Sequence, residues 1–292
     1  MRVEHVKVTH VLRRGAITPS EGYLASEPEA CSHRAVDCST PSLHTPRRSR
    51  ARRQDSTVTT FRSALTELSS AQKSKKGVSL YSRFVNRPLG RVLAAALHQA
   101  GVGPNQVTLL SAFSTGAGLA VLVSQEATFL TGVVVAALLV LGFALDSADG
   151  QVARLSGRSS PAGEWLDHVV DAAKMVAVHA CVLVAAWFHA PHQAGWLVIP
   201  LAFQLVATVM FAGGTLVELL TRSLPAGNPH LGTASPLRAV ALLPADYGVL
   251  ALCFLLWGTP VVFQTAYATL FVANAIILVL LLAKWFRELR SV

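Results

Sequence analysis

Between residues 106 and 283 the chain carries six apolar runs, at 106–124, 127–148, 165–188, 193–218, 240–258 and 260–283. Each is long enough to cross about 30 Å of hydrocarbon as a helix. A backbone inside a bilayer must satisfy its own hydrogen bonds, so runs of this length predict an all-α integral membrane fold with six transmembrane helices. The composition agrees. Hydrophobic residues make up 52% of the chain and charged residues only 14%, against about a quarter charged in soluble domains. The fifth run is the weakest of the six, because Asp246 interrupts it.

The loops give an orientation independently of the runs. The first, third and fifth connections, SQEAT, HAPHQAG and WGTP, carry no Lys or Arg. The second and fourth carry Arg154, Arg158, Arg222 and Arg238, and the C-terminal end carries Lys284, Arg287 and Arg290. Positive charge gathers on the cytoplasmic side of membrane proteins. The pattern therefore predicts a multi-pass protein with both termini on that side.

Ahead of the apolar runs lies a polar segment, residues 1–75, rich in Ser, Thr, Pro and Arg, with the basic run PRRSRARRQ at Pro46–Gln54. It shows no lasting helical or strand period, and a disordered basic tail is expected. A basic run can bind anionic lipid, but solvated tails are the commoner case, and no nucleic-acid partner is expected. The Arg and Ser content also fits a transit peptide, but Glu21, Glu27, Glu29 and Asp37 count against one. Residues 76–103 mix Arg with apolar residues in LYSRFVNRPLGRVLAAALHQA and predict an amphipathic juxtamembrane helix, with residues 104–292 forming the membrane domain. Cys31, Cys38, Cys181 and Cys253 show no metal-ligand spacing and are expected to be unpaired thiols.

The chemistry is concentrated in DSADGQVARLSGRSSPAGEWLDHVVD, from Asp146 to Asp171. Asp146, Asp149, Gly150, Ala153 and Arg154 fall on one stripe of a helix, and Gly163, Asp167 and Asp171 on one stripe of the next. Two helices joined by a short polar loop can then aim two aspartates each into one space. Carboxylates that close repel unless cations lie between them. Hard cations with oxygen ligands answer this, and Mg²⁺ or Mn²⁺ are the usual ions where phosphates share the site. One aspartate at a helix end would ordinarily pair with Arg154, Arg158 or Lys174. Four on two matched faces argue for function.

The pattern Asp146-x2-Asp149-Gly150-x2-Ala153-Arg154-x8-Gly163-x3-Asp167-x3-Asp171 resembles the signature of the CDP-alcohol phosphotransferases at all eight of its positions. Pro104-Asn105-x-Val107-Thr108, opening the first run, resembles the same family. The resemblance implies transfer of a phosphoalcohol from a CDP-alcohol, CDP-diacylglycerol first among them, to an acceptor hydroxyl, with release of CMP. It implies two metal ions, Mg²⁺ or Mn²⁺, on Asp146, Asp149 and Asp167, with Asp171 contributing and acting as the base. It assigns Gly150, Ala153 and Gly163 to a nucleotide slot and Arg154 to the pyrophosphate, sets Thr108 beside them, and implies a homodimer. It does not name the acceptor.

The alternatives are a small soluble CDP-alcohol donor with a lipid or sugar-phosphate acceptor and, in a different class, a cation transporter. A transporter needs a polar path across the bilayer, and runs one, four and six carry little acidic content on their outer halves. An inactive relative would be expected to lack a signature position, and none is missing. Among the other residues, His168 is expected to face away from the stripe, and Lys174 lies within reach of an acceptor pocket. Asp246 is expected to cap a helix or pair with an Arg. Arg83, Arg222 and Arg238 are expected to be solvated.

Overall fold

The first three long helices begin where the sequence supplies a start signal. Gly103 sits ahead of Pro104 with Gln106 three residues on, and the Gly103 N–H donates to Gln106 Oε1 at 2.8 Å, a side-chain cap on the orphan end of helix α3, Pro104–Ser124. Thr128 Oγ1 accepts from Thr131 N at 3.1 Å and starts α4, Phe129–Ser156. Gly157 ends α4 with φ 63°, a left-handed conformation that costs glycine little. Four residues later α5 begins at Pro161 and runs to His189. The computed structural model describes residues 61–70, 79–189, 194–222 and 236–290. All belong to one compact unit, residues 55–292.

The remaining elements are α1 (Phe61–Ser70), α2 (Arg87–Gln99), α6 (Val198–Arg222), the short α7 (Pro236–Ala241) and α8 (Tyr247–Cys253), and α9 (Pro260–Arg290). No strand occurs among the described residues. Among the described residues five helices are long and apolar enough to cross a membrane: α3, α4, α5, α9 and the helix spanning Gly195–Arg222. Their outer faces carry exposed Phe113, Leu201, Leu205, Val261, Val279 and Leu280, side chains suited to lipid.

The fifth expected run, 240–258, is not a continuous helix. It breaks into α7, a 3₁₀ turn at Leu243–Ala245, and α8, with the apolar helical stretch Tyr247–Leu256 shorter than the other spans. Pro244 has no N–H to donate, and Asp246 caps α8 by accepting from Gly248 N at 2.8 Å. The carbonyl this break frees is not orphaned. Asn274 of α9, itself buried, donates Nδ2 to Pro244 O at 2.8 Å. The cap expected of Asp246 is therefore present, and the carboxylate also takes Ser79 Oγ and, at 2.6 Å, Ser82 Oγ. This ties the stretch before α2 to the start of α8.

A second correction concerns the polar segment. Residues 61–70 were expected to be part of a featureless tail, yet they form α1. Phe61, Ala64, Leu65 and Leu68 make a short helical stripe, and Ala64 and Leu68 are buried. The basic run 46–54, the expected disorder, Cys31 and Cys38 lie outside the described residues. The expected amphipathic segment consists of one π-helical turn, Ser82–Asn86, and α2. It exposes Phe84, Val85, Leu89 and Val92 and buries Gly90, Ala94 and Ala95.

Packing is organised in two clusters. The larger joins α3, α4, α5, α6, α8 and α9 through residues such as Leu122, Leu139, Val182, Phe203, Phe254, Trp257 and Tyr267. The smaller, Leu68, Ala94, Val107, Leu145, Ala148 and Val152, seats α1 and α2 against α4. Small residues bring α3 and α4 together. Ser111 Oγ donates to Gly142 O at 2.7 Å and Ser114 Oγ to Leu138 O at 2.8 Å. A Cβ on Gly142 would stand 2.4 Å from Thr115 Oγ1. That close seam holds α3 against the helix that carries Asp146 and Asp149.

Candidate active site

Asp146 and Asp149 come from the last turns of α4, Asp167 and Asp171 from the first turns of α5. The turn at Gly157 folds the two ends side by side. Asp146, Asp167 and Asp171 each offer an oxygen, and these oxygens lie within 4.8 Å of one another. Opposite ligands of an octahedral Mg²⁺ stand about 4.2 Å apart, so a slight closure would let the three share an ion. The donors are all carboxylate oxygens, the set hard divalent cations prefer.

A cation already stands among them. Lys174 Nζ, on α5, donates to Asp146 Oδ1, to Asp171 Oδ1 at 3.1 Å and to Ser111 Oγ at 2.9 Å. Its side chain is 8% exposed. The pairing of aspartates with Lys174 that the sequence allowed is therefore real for two of the four, and it coexists with the three-carboxylate group. Lys174 sits in the cluster itself.

Asp149 stands outside the group of three. It is buried, accepts Thr108 Oγ1 on Oδ2 at 2.6 Å and takes the Gly150 N–H on Oδ1. Thr108 thus orients a carboxylate. The threonine is held for this task by the start of α3, where Pro104 O offers its hydroxyl a second acceptor at 3.2 Å.

Two cavities meet at these residues. The larger, about 580 Å³, is lined by Pro104, Asn105 and Thr108 of α3, Gly150, Ala153 and Arg154 of α4, Gly163 and His168 of α5, and Arg222 of α6. All five residues expected to bind the nucleotide, Thr108, Gly150, Ala153, Arg154 and Gly163, face it together with Asp149 and Asp167. A Cβ on Gly150 would meet only Arg154 Nη1, at 3.8 Å, so the missing side chain leaves open space in the slot. The smaller cavity, about 220 Å³, reaches Asp146, Asp149 and Asp167 past Arg87 and Arg91 of α2.

His168, expected to face away from the aspartate stripe, instead lines the larger cavity, and Arg222, expected to be solvated, stands half exposed at its rim. Arg222 is bound by Glu164 and, at 2.7 Å, by Glu218 at the rim of the larger cavity. His168 lines the same cavity with its Nε2 3.8 Å from Glu164 Oε1. All three pairs are solvent-accessible and add little to stability. Arg87 lies partly buried, and burial, reinforced by the nearby charges of Arg154 and Arg83, lowers the pKa of its guanidinium from the usual value. A sequence scan finds Arg87 and Arg91 only as one face of an amphipathic helix. Which of its faces meets the aspartates depends on how α2 packs. Cys181 and Cys253 are unpaired, as expected.

Residues 102–287 match the family described as CDP-alcohol phosphatidyltransferase. The chain belongs to this family. Archaetidylinositol phosphate synthase of Aeropyrum pernix is 28% identical to it over 139 residues, 47% of this chain and 60% of that protein, so the chain spans under two thirds of the length of that relative. Two crystal structures of Mycobacterium tuberculosis phosphatidylinositol phosphate synthase are similar to it. One, with CDP-DAG bound, has TM-score 0.47 and 22% identity over 69% of this chain and 94% of that one. The other, in complex with manganese and citrate, has TM-score 0.46 and 21% identity over 69% and 89%. All four signature aspartates lie inside the matched segment.

Proposed function

We propose that the chain transfers the phosphoalcohol group of a CDP-alcohol, with CDP-diacylglycerol as donor, to an acceptor hydroxyl, releasing CMP. One observation carries this reading: the signature residues of α4 and α5 converge beside a cavity lined by every residue expected to hold the nucleotide. Asp146, Asp149, Asp167 and Asp171 would hold two Mg²⁺ or Mn²⁺ ions. Bound there, such ions supply neutralising charge to the donor's diphosphate.

The chain's own residues divide the remaining work. Gly150, Ala153 and Gly163 leave room for the nucleotide, and Arg154 lies within the same cavity to steer its phosphates. Thr108 fixes Asp149. Lys174 holds Asp171 by one oxygen, and Asp171 accepts the proton of the acceptor hydroxyl. The acceptor oxygen bonds to the phosphorus that carries the alcohol as its bond to the bridging oxygen breaks, and that oxygen leaves on CMP. The site forms at the helix ends where Arg154, Arg158 and Arg222 lie. That charge supports a cytoplasmic active site and cytoplasmic termini. A homodimer rests on the family resemblance alone.

The test is CMP release by the purified chain with CDP-diacylglycerol, Mg²⁺ and a panel of acceptors. Release should require the metal and one class of acceptor, and should stop in EDTA. Asp149→Asn and Asp167→Asn should each abolish it. Asp171→Asn should fold and bind donor yet lose about 10²–10⁴-fold in turnover. Full metal-dependent turnover by Asp167→Asn would sink the reading.

A further inference from the structure

We propose that the hydroxyls of Thr115 and Tyr247 form a receiving site for the Lys174 ammonium, onto which it moves when a divalent ion takes Asp146. This rests on the metal part of the reading above and adds two positioning residues to it.

One face of α3 carries hydroxyls at successive turns: Thr108, Ser111 and Thr115. Steps of three and four residues keep them on one stripe. Helices α3 and α4 run in opposite directions, so the stripe meets α4 in reverse order. Thr108 Oγ1 reaches Asp149, and Ser111 Oγ reaches Gly142 O while accepting from Lys174. Thr115 Oγ1 lies 2.4 Å from where a Cβ on Gly142 would stand. Thr115 is therefore one turn deeper in the bundle than the hydroxyl the ammonium already holds.

Tyr247, the first residue of α8, reaches the same level from another side. Its ring lies 5.3 Å from that of Phe143, and its phenol stands beside Thr115 in the field of Asp146 and Asp171. The two hydroxyls are neighbours, yet they are not aligned to bond each other. Both oxygens are buried, and neither has a hydrogen-bond partner among the described residues. Thr115 as a whole is 2% exposed. A buried hydroxyl without a partner costs stability. Here two of them come together next to a buried cation.

The ammonium gives them a use. All three of its hydrogens are committed, to Asp146, Asp171 and Ser111. A divalent ion on Asp146 takes one of these acceptors and repels the ammonium at short range. A buried cation that loses an acceptor must find another. Thr115 and Tyr247 offer oxygen lone pairs that no donor occupies, and Thr115 lies one helical turn from Ser111. By shifting toward them the ammonium can keep Ser111 and Asp171 Oδ1 and replace Asp146 with a hydroxyl. Asp146 is then released to the ion without leaving a charge stranded.

The test needs no turnover. Mn²⁺ affinity is measured by calorimetry on the purified chain, and Tm is measured in EDTA and at one fixed Mg²⁺ concentration. Tyr247→Phe and Thr115→Val each remove one hydroxyl with little change of shape. In EDTA neither should lower the Tm, because the lost hydroxyl has no partner there. Each should weaken Mn²⁺ binding about fivefold or more, the loss of one hydrogen bond to a charged group, and shrink the Tm gain from Mg²⁺. In a Lys174→Met background, Tyr247→Phe should leave Mn²⁺ affinity within about twofold, since the coupling runs through the ammonium. Residues that merely pack would lower the Tm equally in EDTA and in Mg²⁺, and that result, or unchanged Mn²⁺ binding, would overturn the proposal. A loss that persists in Lys174→Met would mean that Tyr247 acts on the carboxylates directly, which overturns it as well. Wild-type protein that binds no Mn²⁺ would defeat the metal reading itself. Metal binding that these variants leave untouched would defeat the receiving site alone.

Discussion

Lys174 Nζ has three hydrogens and three acceptors: Asp146, Asp171 and Ser111. An ammonium so placed balances carboxylates that would otherwise repel at close range, and divalent ions would compete with it for the same oxygens. Lys174→Met should therefore destabilise the metal-free protein more than the loaded one. Breaking a buried pair costs about 3–5 kcal/mol, which for a chain of this size lowers Tm by roughly 10 °C. Thermal unfolding in EDTA and in saturating Mg²⁺ reads the difference directly. Equal losses in both would mean that Lys174 and the ions do not share ligands. The aspartate stripes were legible in the sequence because a helix repeats every 3.6 residues. The same arithmetic sets Lys174 beside Asp171, but Asp146 and Ser111 come from two other helices. No local period reveals that meeting.

Among the elements, α3 and α4 approach through Ser111, Ser114 and Gly142, and this seam carries Ser111 to Lys174. Gly142→Val should force the helices apart and cost about 3 kcal/mol in overpacking. Thermal unfolding in detergent should show a lower Tm, and the variant should need more Mg²⁺ for half-maximal CMP release. An unchanged Tm would mean that a seam with Thr115 Oγ1 only 2.4 Å from the added Cβ can yield freely. The long helices were legible because their length and apolarity leave few alternatives. The fifth span was only half legible. Pro244 and Asp246 announce a break, but the Asn274 bond that satisfies it comes from α9. Helix α1 escaped notice because ten residues carry too few turns to stand out from a Ser- and Arg-rich surround. Its stability comes from Leu68 against α2 and α4 rather than from its own sequence.

At the scale of the whole molecule, the arginine-bearing ends and the aspartates share one end of the helices, which is the basis for a cytoplasmic site. In a cysteine-free background, Ser159→Cys, in the loop after α4, should react with an impermeant thiol reagent only in inverted vesicles. Gln125→Cys, in the loop before α4, should react only in right-side-out ones. Both positions are exposed. The opposite result would reverse the orientation. The tie between Ser79, Ser82 and Asp246 bears on the timing of synthesis. Its partners are separated by up to 167 residues, so at about 5–20 residues per second the ribosome needs roughly 8–33 s to supply the later one. During that interval α3, α4 and α5 can already be paired with their aspartates in register, while the stretch leading into α2 waits for its anchor. A chain interrupted after α6 would thus carry all four signature carboxylates, with α2 already seated on α4, while the turn that leads into α2 still lacked its partner at the start of α8.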